Sequence, residues 1–155
     1  DWLKSNNIRF LPTPGASYQD TSFAFKCYAC SKRFEMIDTP LLYYRLDNEN
    51  SSVNNPGKVF CVCDEWNEIY GFVRANKDKY KHLLPLMPIL QCGTYTWNYE
   101  RLSPELKRKF ILTWAKEIIA HLMKGEILIS KLDGYTKKKL CGVLKKAFFS
   151  SFRGK

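Results

Sequence analysis

The stretch KVFCVCDEWNEIYGFV, residues 58–73, decides how the first half of the chain is read. It reads as a strand, or a strand pair bent near Gly71. In a strand the side chains at i and i+2 point to one face. Cys61 and Cys63 would then offer two thiols to the same side. Upstream, FKCYACSKRF (residues 25–34) carries Cys27 and Cys30 as C-x2-C. Zn²⁺ takes four ligands in a tetrahedron, with thiolates at about 2.3 Å. Two close cysteine pairs separated by one loop supply that number.

The expectation is therefore a structural zinc site of Cys27, Cys30, Cys61 and Cys63. Four protein thiolates leave no open position for a reacting water. Phe25 and Phe34 flank the first pair and would cover it. The pattern F-x-C-x2-C-x3-F resembles the knuckles of zinc-ribbon and treble-clef modules in general. The C-x-C departs from their usual second C-x2-C, so His82 or Cys92 can stand in for Cys61 or Cys63. Buried free thiols are the main competing reading, followed by a redox pair or disulfides. No basic, apolar leader opens the chain, and knuckle spacing favours a metal in a reducing, intracellular compartment.

Around that centre the chain divides into three. Residues 1–22 read as an extended arm that docks through Trp2, Ile8, Phe10 and Leu11. Residues 23–75 form a β-rich zinc-binding module, with PLLYYRLD (40–47) as a further strand and NENSSVNNPG (48–57) as an exposed loop. Residues 76–155 form a mainly helical basic region, packed with the zinc module as one unit. The fold class is α+β, a small antiparallel β zinc-binding module against C-terminal α-helices.

The helical part carries clearer signals. SPELKRKFILTWAKEIIAHLMKG (103–125) has Ser103 as N-cap, Pro104 in the first turn and Gly125 as its stop. Leu106, Phe110, Trp114, Ile118 and Leu122 form the buried stripe, with Ile111, Ala115 and Ile119 beside it. A second helix runs through TKKKLCGVLKKAFFSSFRGK, capped by Thr136, with Leu140, Val143, Leu144, Ala147 and Phe148 inward. Between these and the β module, Pro85 and Pro88 break a helix. QCGTYTWNYERL (91–102) reads as strand or connector, and EILISKL (126–132) as a short strand or a helix extension.

Charge is the second unusual feature. The chain has 155 residues and a formal net charge of +10. Residues 1–100 hold eleven basic and eleven acidic groups, whereas residues 101–155 hold fourteen basic against four acidic. The whole excess sits in the last third, an electrostatic footprint for a polyanion. A row of lysines is also what a solvated helix surface looks like. Phosphate contacts are expected from Lys107, Arg108, Lys109, Lys137, Lys138, Lys139, Lys145, Lys146 and Arg153. Lysine outnumbers arginine, which suits backbone contact better than bidentate base reading. Tyr43, Tyr44 or Trp66 are the candidates to stack on bases.

The function so reached is a zinc-stabilised nucleic-acid-binding protein, DNA or RNA, of a regulatory, transcriptional or viral kind, with the nucleus among its compartments. The alternative is a protein-interaction or assembly module whose basic face meets an acidic partner or a second copy. No phosphate-binding glycine loop, nucleophile elbow or zinc-protease helix is present, so no enzyme is expected. Asp64, Glu65 and Glu68 read as a solvated cluster, His121 as a packed histidine and His82 as surface. Cys92 with a histidine is too bare a pair to make a nucleophile. No apolar run approaches the roughly 20 residues of a membrane span.

Overall fold

The computed structural model describes residues 1–13, 18–43 and 56–152. All regular structure among them is helical, and no strand occurs. The expected α+β class with an antiparallel β module is thus overturned. The reason lies in residues 58–73 themselves. Read as a strand, each face mixes apolar and charged groups: Val62 shares one with Asp64 and Glu68, Ile69 the other with Glu65 and Asn67. Read as a helix, Val62, Trp66, Ile69 and Val73 recur at steps of four, three and four and line one side. All four are buried in α3, Cys61–Ala75.

The chain packs as two units, Asp1–Ile69 and Tyr70–Lys155. In the first, α1 (Trp2–Ser5) is capped by Asp1, and α2 spans Gln19–Cys30. The expected arm is partly helical, but it does dock: Ile8 is buried and Phe10 stacks on Phe23 at 4.0 Å. Gln19 Nε2 donates to the carbonyls of Leu11 and Thr13 at 3.2 and 3.1 Å, tying the arm to the start of α2. Two carboxylates hold α2 to the first turns of α3. Glu65 accepts the Ser22 N–H at 2.9 Å near the positive end of α2, and Glu68 pairs with the buried Lys26. Residues 40–43 have no regular structure, and the rest of the expected strand at 40–47 lies outside the described residues.

In the second unit, the short α4 (Lys77–Tyr80) precedes three long helices, α5 (Met87–Arg101), α6 (Pro104–Met123) and α7 (Gly134–Phe152). These three pack against one another, α6 most extensively on α7. Pro88 opens α5 instead of breaking a helix, because a first-turn N–H has no intrahelical partner to lose. QCGTYTWNYERL is accordingly helix. The α6 expectation holds closely: Ser103 Oγ accepts the Leu106 N–H, and Phe110, Trp114 and Ile118 are buried, although Ile119 is exposed. Gly125 stops α6 with φ of 67°, the left-handed conformation that favours glycine. Its N–H bonds to Leu122 O, and that of Glu126 to His121 O, closing a Schellman turn. A 3₁₀ turn, Ile129–Lys131, stands where EILISKL was expected to be strand or helix. Asp133, not Thr136, caps α7, accepting both the N–H and the hydroxyl of Thr136 at 2.8 Å.

The core of this unit is aromatic. Tyr95 of α5 lies 5.3 Å from both Phe110 and Trp114 of α6, at tilted and edge-on angles. Beside it runs a buried polar chain. Tyr95 Oη donates to Glu117 at 2.6 Å, and Gln91 bridges Glu117 to Tyr70. Tyr70 stacks on His121 at 3.6 Å, and His121 Nδ1 meets Glu126 at 2.6 Å.

Candidate nucleic-acid interface

The face formed by the last turns of α5, the first half of α6 and the outer stripe of α7 collects most of the predicted phosphate-contacting residues. On α7, Tyr135, Lys139, Gly142, Lys146 and Phe149 follow one another at steps of four, three, four and three, so they share one side. On α6, Pro104, Lys107, Arg108 and Ile111 share one side across about two turns. Between them stands Tyr99, near the end of α5. Lys107 Nζ lies 5.6 Å and Lys146 Nζ 5.3 Å from the centre of its ring.

Two adjoining hollows open on this face and share Tyr99, Ile111 and Lys146. The larger, of about 680 Å³, adds Lys107, Arg108 and Phe149. The smaller, of about 320 Å³, adds Trp114, Tyr135, Lys138, Lys139 and Gly142. Both volumes fall within the about 300–1,000 Å³ range of ligand sites. No carboxylate is among the described residues that line either hollow. Five cations therefore gather over an aromatic floor without a lining countercharge. The ammonium groups raise one another's electrostatic energy, and an anion placed between them lowers it.

Five of the nine predicted phosphate contacts, Lys107, Arg108, Lys138, Lys139 and Lys146, line the hollows. Arg108 also spends one donor on Ser150 O at 3.1 Å, which fastens α6 to the end of α7. Lys109 is turned to Glu105 at 2.7 Å and does not line the site. The same ion pair lowers the Glu105 carboxyl from its ordinary value. Lys137 and Lys145 are exposed on α7 away from the hollows, and Arg153 lies outside the described residues. The predicted stackers fare differently. Trp66 is buried in α3, Tyr43 is exposed in the first unit, and Tyr44 lies outside the described residues. The tyrosines that line the hollows are Tyr99 and Tyr135. Tyr99 was hidden in a segment read as strand or connector. The mixed aromatic and basic stripe from Tyr135 to Phe149 was the sequence signal for the rest.

The cysteines end up otherwise than expected. Cys27 and Cys30 lie one turn apart at the end of α2, where burial, then the neighbouring Cys30, pushes the Cys27 thiol up. Cys61 and Cys63 lie on the first turn of α3. Residues at i and i+2 of a helix project to nearly opposite sides, so the premise that both face one ion fails with the strand. No group of three or more His, Cys, Asp or Glu side chains is placed to hold a metal among the described residues. Cys92 is buried in α5, where burial raises its thiol pKa, and His82 is exposed.

Glu65 does not belong to a solvated cluster. It is buried, and burial raises its carboxyl above the ordinary value against the hydrogen bonds from Ser22 and the charge of Lys26. His121 is packed, as read. Burial holds its imidazole below the ordinary value, outweighing the Glu126 carboxylate, so a neutral ring donates from Nδ1 to Glu126. No helix is long and apolar enough to cross a membrane among the described residues. No family model, no curated protein and no solved structure matches the chain, so its function is argued from this site alone.

Proposed function

We propose that the chain binds nucleic acid, with Lys107, Arg108, Lys138, Lys139 and Lys146 meeting backbone phosphates. The observation that carries this reading is the pair of adjoining hollows whose lining, among the described residues, holds five cations, several aromatic rings and no carboxylate. Phosphates satisfy the cations, and each one contacted releases condensed counterions. Tyr99, held beneath two ammonium groups, gives the strand an aromatic surface at the centre of the site. Lysine predominates, which matches a binder of backbone with modest sequence preference. The test is the double variant Lys107→Gln/Lys146→Gln, followed by fluorescence anisotropy of a labelled oligonucleotide. Affinity falls about tenfold or more, and the salt slope shrinks by about 1.4 to 1.8 for two lost contacts. An unchanged slope places the phosphates elsewhere.

A second reading, an assembly module, draws on the first unit. Phe34, Met36, Ile37, Leu41, Leu42 and Tyr43 are all exposed within ten residues. A run of this kind marks a protein-contact segment. Removing residues 34–43 then abolishes partner capture and leaves oligonucleotide binding intact.

A further inference from the structure

We infer that the smaller hollow holds an unpaired base of a single-stranded nucleic acid; this rests on the phosphate-binding reading above and specifies its ligand. Three features of the hollow lead there. Three rings line it: Tyr99 of α5, Trp114 of α6 and the exposed Tyr135 of α7. Flat aromatic surfaces suit a nucleobase, whose faces stack irrespective of sequence.

The second feature is an orphan donor. Trp114 is 1% exposed, and its indole Nε1–H has no hydrogen-bond partner among the described residues. A buried donor left unmade is costly, and most such groups have a partner. Every nucleobase carries ring nitrogens or carbonyl oxygens that accept. Nε1 itself is closed to solvent, so a base in the hollow reaches it only with a shift of the Trp114 ring.

The third feature is Gly142. It lines the hollow in mid-helix, where glycine weakens a helix, and a Cβ built on it meets nothing within 4 Å. The space it leaves belongs to the hollow and not to a neighbour's packing. Lys138 and Lys139 stand at this hollow, while Lys107 and Arg108 stand at the adjoining one, past Tyr99 and Lys146. Successive phosphates of one strand can thus be met on either side of an inserted base. A duplex keeps its bases stacked and paired, so it offers the cations phosphates but gives the hollow nothing.

The experiment is fluorescence anisotropy on the full chain with three probes of equal length: an oligothymidylate, an abasic strand and a duplex. The oligothymidylate binds about tenfold tighter than the abasic strand, the size of one base stacked on aromatic groups. Gly142→Met, which fills the hollow and improves helix propensity, removes that preference, so the two strands bind the variant alike. Equal binding of thymidylate and abasic strands overturns the inference while the phosphate reading stands. So does a preference that survives Gly142→Met. Thymidine monophosphate competing as strongly as the strand makes the hollow a nucleotide site and overturns the strand. Failure of all three probes at low salt removes the phosphate reading, and this inference with it.

Discussion

The two units use charge in opposite ways. In residues 1–69 the characteristic ionic groups are turned inward on one another: buried Lys26 to Glu68, and buried Glu65 to the Ser22 amide of α2. In residues 70–155 carboxylates also serve the interior, with Glu117 held by Tyr95 and Gln91, and Glu126 by His121 and Arg74. Five cations of α6 and α7, however, line the hollows without a carboxylate beside them among the described residues. Tyr99 and Lys146 belong to both hollows. Charges that satisfy each other hold helices together. Charges without a neighbouring countercharge on an aromatic face are what the proposed phosphate contacts rest on.

The sharpest way to break the second unit is through its aromatic core. Trp114→Ala removes a ring packed on Tyr95 and Phe110 and costs about 3–5 kcal/mol, read as a lower urea midpoint. Lys26→Met sharpens the contrast between the units. It strips Glu68 of its partner and lowers stability by about 1–3 kcal/mol, yet it leaves oligonucleotide affinity within twofold of the parent. The double lysine variant on α6 and α7 does the reverse, losing affinity without loss of stability.

A pH titration separates the interior of the second unit from its surface. The unfolded chain protonates His121 at the ordinary value of 6.5, while the folded chain resists until lower pH. Stability from this group is therefore complete above about pH 6.5 and falls as pH drops through that window. His121→Gln flattens this part of the profile, measured by thermal melts between pH 7 and pH 5. Glu126, Tyr70, Lys124 and Arg74 surround or act on the ring and remain in the variant, so the difference between the two profiles isolates His121. Gly125→Ala gives the smallest effect, about 1–2 kcal/mol, because a Cβ strains the positive φ that turns Glu126 back under α6.

How far the sequence could be read follows from what each pattern depended on. The α6 stripe and its caps were legible because Ser103, Pro104 and Gly125 are local signals that no distant packing overrides. The basic face was legible as charge, since fourteen cations against four acids need no structure to count. The cysteine site was not, because its geometry was borrowed from an assumed strand. Once Val62, Trp66, Ile69 and Val73 choose a helix, Cys61 and Cys63 part. Zinc content of the purified chain and of Cys61→Ser measures that expectation directly. Stoichiometric zinc that is lost both in Cys61→Ser and in Cys63→Ser would require the first turn of α3 to rearrange around the metal. Tyr99 was missed because Pro88 was taken as a break when it starts α5. Trp114 was placed in the core correctly, but its unpartnered N–H is a property only of coordinates.

The most direct test of an externally satisfied cationic face is a salt titration of oligonucleotide binding by the parent chain. Five phosphate contacts predict that log K falls linearly with log salt with a slope of about −3.5 on single strands. A slope near zero, or no binding at low salt, would contradict the assignment of the α5–α6–α7 face to nucleic acid.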